Sequence, residues 1–291
     1  MLDINLINEL IKENGGIYSV DNFAEAYIFC EKMAKSHYEN FPVASRLIPK
    51  KYRKHILAVY CFARLADDIA DEYPDNTQKI DILNNLESYL KREEQTTHPI
   101  FLALQNTIKE KKLPLEPFLN LLKAFKMDAE FSQPETFDDL LKYCKLSANP
   151  VGELVLRIFD ECTEEKLKYS NDICTALQLA NFWQDFSRDI PNGRFYIPKN
   201  IADENTLKNN PDEISAELKK LYNKTEELFA NGKKLIKLLE NKLLRIEIAL
   251  TVKGGELIMK KTRKLGKEIF NTRPSISKNE LLIPFLKSLL S

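Results

Sequence analysis

The chain has 291 residues, 44% of them hydrophobic, and its 43 basic and 43 acidic side chains give a net charge of zero. This length and composition support a large buried core and argue against a disordered chain. A neutral chain has no overall field for nucleic acid, so a charged ligand must be bound by a local site. Only eight glycines occur, and long segments rich in Leu, Lys, Glu and Ala predict an all-α fold.

Prolines and polar clusters divide the chain into helices, and no repeat or low-complexity linker marks a boundary, which predicts a single domain over residues 1–291. The predicted helices cover residues 22–38, 50–73, 76–94, 99–111, 115–130, 137–149, 151–160, 164–190, 212–231, 233–252, 255–270 and 277–289. A kink is expected at Asn149-Pro150, because proline removes an amide donor. The segment IPNGRFYIPK, which begins at Ile190, predicts a loop.

Cysteine usage and the absence of targeting signals indicate a cytoplasmic protein. The five cysteines are odd in number and scattered, which predicts reduced core thiols. The N-terminal MLDINLINELIKENGG carries acids and lacks the basic and apolar regions of a secretory signal. No apolar run reaches the ~18 residues needed to span a membrane.

A basic segment lies near the C-terminus, with twelve Lys and Arg and four Glu between Gly232 and Arg273. Its amphipathic pattern favours a solvated helix face. The alternative is peripheral contact with an anionic membrane surface, which would suit a lipid substrate or product.

The most informative feature is a pair of Asp-x-x-x-Asp motifs on apolar helical segments. The first pair, Asp67 and Asp71, shares one predicted helix face with Tyr60 and Arg64, while the other faces are apolar. An exposed acidic face is the alternative for an isolated pair. For Arg64 the alternative is an i, i+3 ion pair with Asp67.

The second pair, Asp185 and Asp189, repeats the arrangement. Gln178 and Asn181 fall on the same predicted face and form a stripe of oxygen-bearing side chains along an otherwise hydrophobic helix. Burying four carboxylates without a cation would be very costly, and carboxylate oxygens suit Mg²⁺ together with diphosphate. The two pairs therefore predict a Mg²⁺-diphosphate site, whereas only three histidines are available for zinc.

Other polar residues have ordinary structural interpretations. His55 and His98 are expected to be structural, and on position alone His37 indicates an ordinary helix end. Tyr143 and Tyr196 are either core tyrosines whose hydroxyls are hydrogen-bonded or catalytic groups of the predicted site.

Five segments occur in this order along the chain: HYENFPVAS (37–45), FARLADDIADE (62–72), YCKLSANPVGELVL (143–156), QLANFWQDFSRD (178–189) and GRFYIP (193–198). In these segments the sequence resembles the squalene/phytoene synthase family, over a core of about residues 20–270. The first and third segments are most similar to the bacterial hydroxysqualene synthase branch, which serves the hopanoid pathway.

The resemblance implies an isoprenoid synthase fold, a single helical bundle around a central active-site cavity. It implies that Mg²⁺ is bound against diphosphate by Asp67, Asp71, Asp185 and Asp189. These four aspartates, with Tyr143 and Tyr196, are the implied catalytic residues. The implied substrate-binding residues are His37, Arg64, Gln178, Asn181 and Arg194.

Two departures from the family pattern favour one reaction. Tyr38-Glu39-Asn40 stands where condensing members tend to have a serine-rich basic segment, and Gln184 stands where an arginine is common. Both remove groups expected near diphosphate. The favoured reaction is the Mg²⁺-dependent conversion of presqualene diphosphate and water into hydroxysqualene and diphosphate.

Alternatives remain open at this point. The same fold carries out head-to-head condensation of two prenyl diphosphates, such as farnesyl diphosphate, to presqualene diphosphate, squalene, dehydrosqualene or phytoene. A non-catalytic helical isoprenoid-binding protein is a rival of another class, although four intact aspartates argue against it. A terpene cyclase ranks third, because its second motif is typically an Asn/Ser/Glu triad.

Overall fold

The computed structural model describes residues 2–36, 48–203, 206, 211–277 and 280. Its α-helices are α1 (Ile4–Leu10), α2 (Phe23–Ser36), α3 (Lys50–Glu72), α4 (Asn76–Lys91), α5 (Pro99–Lys111), α6 (Glu116–Ala129), α7 (Phe137–Ser147), α8 (Asn149–Ile158), α9 (Glu164–Gln184), α10 (Phe186–Asp189), α11 (Pro211–Gly232), α12 (Lys234–Leu238) and α13 (Lys242–Leu265). Short 3-10 segments occupy Glu13–Tyr18, Ile190–Asn192 and Gly266–Phe270. These residues contain no β-strand, which confirms the all-α prediction.

The helices group into two compact units. The first comprises Met1–Glu130 and Leu154–Asp160, and the second comprises Phe131–Glu153 and Glu161–Ser291. The prediction of one domain stays a prediction.

Helix α3 is the centre of the first unit, and it contacts α2, α4, α5 and α6. Phe62 is fully buried and meets Phe101 and Phe118 edge to face, with ring centroids 6.0 and 5.7 Å apart. Such aromatic pairs add to the stabilisation from burial. The predicted apolar helix over 50–73 is therefore confirmed, and its packing fixes where the polar side chains of α3 emerge.

Helix α9 has the corresponding position in the second unit, against α7, α11 and α13. Trp183 is fully buried, and its indole N–H donates to the Thr225 hydroxyl on α11 at 3.0 Å. A Cβ at Gly255 would lie 2.5 Å from the ring of Phe229, so only glycine permits α13 to pack this closely on α11.

The C-terminal helices differ from the prediction for a tertiary reason. A break was expected near residue 254, whereas the observed break separates α12 from α13 at residues 239–241. There the buried carboxylate of Glu161 accepts the backbone N–H groups of Glu240 and Asn241. The Asn241 side chain in turn caps the first turn of α13. The Glu161 contact is long-range, so the local sequence gave no sign of it.

Other local predictions have mixed outcomes. The kink at Asn149-Pro150 is confirmed, because α7 ends at Ser147 and α8 begins at Asn149. The loop after Asp189 is also confirmed, with Gly193 at φ 76°. Helix α1 and the 3-10 segment Glu13–Tyr18 were missed, since one is only seven residues long and the other contains two adjacent glycines. The predicted helix 277–289 lies almost entirely outside the described residues.

The predictions for cysteines and the basic segment can be compared with the contacts. None of the five cysteines forms a disulfide, and burial raises the pKa of Cys144 to about 12 and that of Cys174 to about 11, so both remain thiols. Part of the basic segment is ion-paired, as in Lys233 with Glu256 and Arg263 with Glu226. In the described part of the chain no helix has the length and apolarity to cross a bilayer. Peripheral membrane contact and a cytoplasmic location stay predictions.

The structural interpretation of two histidines is confirmed. His98 is fully buried at the N-cap of α5, where Nδ1 accepts the N–H of Ile100 at 3.2 Å and Nε2 donates to the Leu10 carbonyl at 2.9 Å. Only the neutral ring with its proton on Nε2 satisfies both contacts. His55 is buried beside Thr107, with Nδ1 3.0 Å from the hydroxyl.

His98 should make stability depend on pH. Burial lowers its pKa to about 4 from an ordinary value of 6.5, so between these values the unfolded chain binds a proton that the native ring does not. The contribution of the neutral His98 ring to the free energy of unfolding is complete above pH 6.5 and falls by about 3 kcal/mol as the pH drops to 4. In urea titrations from pH 7 to 4, the free energy of unfolding should fall less for His98→Asn, which keeps a capping side chain, than for the wild type. Identical pH profiles would contradict this assignment.

Candidate functional site

The first aspartate pair lies at the C-terminal end of α3. Asp71 is exposed, and 41% of the Asp67 side chain is accessible, so both carboxylates can be reached by a ligand. Asp67 is nevertheless recessed among protein atoms, and this burial, followed by the charge of Asp71, raises its pKa to about 7. The negative charge of Asp128 on α6 contributes in the same direction. The charge of Arg64 acts in the opposite direction, but burial and the neighbouring carboxylates outweigh it.

Arg64 has a different main partner from the one the spacing suggested. Its Nε donates to Oδ2 of Asp68 at 2.9 Å, and a second guanidinium nitrogen donates to Oδ1, whereas the nearest Asp67 contact is 3.6 Å. The Asp68 side chain is 1% exposed and also accepts the N–H of Leu2 at 2.8 Å. Burial works to lower the pKa of Arg64, but the carboxylates of Asp68 and Asp67 leave it raised.

The i, i+3 ion pair predicted for Arg64 is thus secondary to a bidentate i, i+4 pair. This arrangement fixes the guanidinium one turn before Asp67 and two turns before Asp71. The role of Arg64 in binding substrate stays a prediction.

A buried lysine supports the same end of α3. Lys79 on α4 donates to the carbonyl of Ala70 at 2.8 Å and lies 3.4 Å from that of Asp71. A cation here is favourable, because the last carbonyls of a helix carry partial negative charge. No sequence pattern indicated Lys79 or Asp128, since both reach the site from other helices.

The second aspartate pair shows a correction to the predicted helix 164–190. Helix α9 ends at Gln184, Asp185 is its C-cap at φ −100° and ψ 10°, and α10 begins at Phe186. The N–H of Asp189 still donates to the carbonyl of Asp185 at 2.9 Å, so the two aspartates remain one turn apart. Because of the break, the two aspartates do not lie on one continuous α-helix.

The first aspartate of this pair, Asp185, forms an ion pair with a guanidinium. Arg273, in the segment after the 3-10 helix Gly266–Phe270, contacts both carboxylate oxygens of Asp185, with Nε forming the shorter contact. The side chains of Asp185 and Arg273 are 23% and 29% exposed. Arg273 was missed because 88 residues separate it from Asp185.

Aromatic rings connect the two predicted tyrosines to α9. Tyr196 stacks on Phe182 with centroids 3.9 Å apart and planes at 16°, and Tyr143 contacts the same ring at 5.9 Å. Phe131 meets Tyr196 at 5.2 Å. Phe182 and Phe131 were not singled out from the sequence, because a lone phenylalanine indicates only core packing.

The remaining predicted residues have the following places. On α9, Gln178 is half-buried and Asn181 is exposed, so neither residue is buried in the core. Arg194 follows the second pair, and its N–H donates to the carbonyl of Asp189 at 2.9 Å. His37 lies outside the described residues, as do Tyr38, Glu39 and Asn40. The two aspartate pairs belong to different units, so their shared cavity stays a prediction.

The donor chemistry of both pairs fits Mg²⁺. All the donors are carboxylate oxygens, which hard divalent cations prefer, and burial together with the charge of Asp71 raises the pKa of Asp67 to about 7. In the part of the chain that the structure describes, no three His, Cys, Asp or Glu side chains form a ready metal cluster. A metal held by these pairs would take its remaining ligands from diphosphate and water. At Asp185 such a metal would share the carboxylate with Arg273.

A family model for squalene/phytoene synthases matches residues 34–280, so the chain belongs to the squalene/phytoene synthase family. Within this family it is similar to the hydroxysqualene synthase of Rhodopseudomonas palustris, with 38% identity over 57% of this chain and 56% of the relative. The chain thus spans little more than half the length of this relative. The hydroxysqualene synthase of Sinorhizobium fredii is 31% identical over 84% of this chain and 86% of the relative.

Solved structures agree with this assignment. The crystal structure of squalene synthase HpnC from Alicyclobacillus acidocaldarius has a TM-score of 0.77 and 34% identity, over 84% of this chain and 95% of that chain. A dehydrosqualene synthase in complex with ligand has a TM-score of 0.76 at 24% identity, over 92% and 97% of the two chains, and shows the fold alone. The predicted isoprenoid synthase fold is confirmed.

Removing the charge of Asp67 and removing that of Asp68 should change the free energy of unfolding in opposite directions. Asp68→Asn breaks a buried ion pair and is expected to cost on the order of 3 kcal/mol of unfolding free energy. Asp67→Asn should instead stabilise the protein at pH 8. With its pKa raised from 3.8 to about 7, Asp67 contributes stability below pH 4 that is lost as the pH rises through 7.

Urea titrations of both variants at pH 5 and pH 8, in buffer with a metal chelator, would measure these effects. The gain for Asp67→Asn should be confined to the higher pH. Destabilisation at pH 8 by both substitutions would contradict the electrostatic description of α3.

Proposed function

We propose that this protein converts presqualene diphosphate and water into hydroxysqualene and diphosphate, in the formation of squalene and hopanoids. The observation that carries the proposal is the C-terminal end of α9 and its continuation. This part of the chain carries the Asp185/Asp189 pair, the polar side chains of Gln178 and Asn181, and the ring of Phe182. Tyr143 and Tyr196 pack on that ring. Similarity to hydroxysqualene synthases selects this reaction within the family.

The first chemical requirement is to stabilise negative charge on the departing diphosphate. Bound Mg²⁺ would supply Lewis acidity there, with Asp67, Asp71, Asp185 and Asp189 as the residues that hold it. Arg64 and Arg194 are the proposed guanidinium contacts. Arg64 is suited to this role because its pair with Asp68 fixes its orientation before substrate binds.

The second requirement is to stabilise a carbocation after diphosphate has left. The faces of aromatic rings attract cations, and the stacked pair of Tyr196 and Phe182 supplies two such rings beside Tyr143. Burial first, then nearby Cys61 and Asp68, raises the pKa of Tyr60 to about 12, so its hydroxyl keeps its proton and can donate. Water then forms the C–O bond of hydroxysqualene and releases one proton, while diphosphate carries away the electron pair of the broken C–O bond.

A second candidate is head-to-head condensation of two prenyl diphosphates. It is favoured by similarity to the phytoene synthase of Mycobacterium tuberculosis, at 29% identity over 62% of this chain and 59% of that protein. The same carboxylates and aromatic rings would serve either reaction.

Product analysis separates the two candidates. The protein with Mg²⁺ is supplied with presqualene diphosphate or farnesyl diphosphate in separate reactions, and products are identified by gas chromatography and mass spectrometry. We expect hydroxysqualene from presqualene diphosphate and no consumption of farnesyl diphosphate. Rapid conversion of farnesyl diphosphate to a cyclopropyl or C30 product would favour condensation. Release of no pyrophosphate from either substrate would favour a non-catalytic isoprenoid-binding protein.

The second aspartate pair can be tested by Asp185→Asn. Loss of a carboxylate that holds the metal should reduce pyrophosphate release by roughly 10²-fold, as expected for loss of a group that stabilises developing charge. Asp160→Asn is a matched control, because Asp160 is an exposed residue at φ 61°, which asparagine tolerates. Near-normal release by Asp185→Asn would refute the role of Asp185 in metal binding.

A further inference from the structure

The C-terminal segment 271–277 is held by two consecutive residues of the second aspartate motif. Gln184 donates its side-chain amide to the carbonyl of Pro274 at 2.8 Å, and Asp185 accepts from the guanidinium of Arg273. Consecutive residues at the end of α9 therefore engage consecutive residues of the segment. The prediction that Gln184 merely removes a positive group is incomplete, because its side chain contacts the segment that brings a guanidinium.

The two contacts differ in strength, and burial decides which one anchors the segment. Gln184 is 5% exposed and Pro274 is buried, whereas the side chains of Asp185 and Arg273 are 23% and 29% exposed. Losing a donor to a buried carbonyl leaves an unsatisfied acceptor, which costs more than a partly exposed ion pair usually contributes. The Gln184 contact is therefore the anchor.

Because Pro274 follows Arg273, holding Pro274 in place also restrains Arg273. The pyrrolidine ring fixes φ of Pro274, and it restricts the preceding residue to extended backbone conformations. Holding the carbonyl of Pro274 therefore also restricts the backbone of Arg273. Lys261 donates to the next carbonyl, that of Ser275, at 2.6 Å, but this contact is exposed.

We propose that Gln184 is a positioning residue, which seats the segment 271–277 so that Arg273 is held at the second aspartate pair. The motif thereby has a guanidinium although position 184 itself carries no charge. A polyanion that approaches these carboxylates needs nearby positive charge, so correct placement of Arg273 strengthens binding of diphosphate with its metal. The inference deepens the proposed function and rests on it for the identity of the ligand.

The test compares Gln184→Met, Arg273→Met and the double variant. Methionine keeps the length of glutamine without a donor, so the first variant removes the hydrogen bond while leaving the core filled. Arg263→Met is the charge control, because Arg263 forms an exposed pair with Glu226 on α11. If Gln184→Met does not fold, Gln184→Glu replaces it, since the carboxylate keeps the shape and lacks the amide donor.

Hydrogen exchange of the ligand-free protein measures the positioning itself. In Gln184→Met the amides of residues 271–277 should exchange about fivefold to tenfold faster, as expected for loss of one buried hydrogen bond. In Arg273→Met their exchange should change less than twofold, because the anchor remains. Unchanged exchange in Gln184→Met, or equal acceleration in both variants, would overturn the proposal.

Titration calorimetry with inorganic pyrophosphate and Mg²⁺ measures the consequence. Each single variant should bind pyrophosphate about fivefold to tenfold more weakly, and the double variant should bind no more weakly than Arg273→Met, because Gln184 acts through Arg273. The KM for presqualene diphosphate should rise by a similar factor with kcat nearly unchanged, and Arg263→Met should match the wild type. Multiplicative losses in the double variant, or a wild type that does not bind pyrophosphate, would refute the inference.

The two proposals fail in different ways. If the wild type releases no pyrophosphate from presqualene diphosphate but the exchange and calorimetry results hold, the proposed function is wrong and the positioning role stands. If turnover is normal and the double variant shows independent losses, the positioning role alone is wrong.

Discussion

Carboxylates that are withdrawn from water require a positive charge close by, and the two units meet this requirement in different ways. Asp68 has a buried guanidinium from its own helix, Arg64, and Asp185 has one from a distant segment, Arg273. The end of α3 is capped by the ammonium of Lys79. Asp67 lies 3.6 Å from Arg64, and burial together with the charge of Asp71 raises its pKa to about 7. A bound cation would favour the charged form of this carboxylate.

This electrostatic arrangement depends on packing that has no polar character. Phe62 and Trp183 lock α3 and α9 into their units, and each helix then presents its carboxylates near its C-terminal end. Negative side chains at a helix C-terminus are unfavourable, because the last carbonyls are themselves partly negative. Placing the aspartates of the proposed metal site there therefore costs stability, which α3 offsets through Lys79.

The aromatic rings show how the same helix can serve the two halves of the proposed reaction. Phe182 adjoins Trp183 in sequence, yet it packs against Tyr196 and Tyr143 while Trp183 packs into the core. A developing diphosphate and a carbocation have opposite requirements, one for positive charge and the other for electron-rich faces. The proposed metal-binding carboxylate of Asp185 and the proposed cation-stabilising ring of Phe182 lie within one turn of each other at the end of α9.

The sequence by itself determined the helical fold, most helix positions, the family, and the aspartate, tyrosine and arginine candidates. The helices and the two aspartate pairs follow from local spacing, since a period of 3.6 residues places side chains on a face without reference to other helices. The family and the roles of the tyrosines and arginines follow from the resemblance of five segments. Only the tertiary structure decided that Arg64 pairs with Asp68 and that Asp185 ends α9 and carries Arg273. Only it revealed that Glu161 sets the break before α13, and that Lys79 and Phe182 join the candidate site. Apart from the choice between two aspartates on α3, these decisions depend on partners far apart along the chain, whose approach is fixed by core packing.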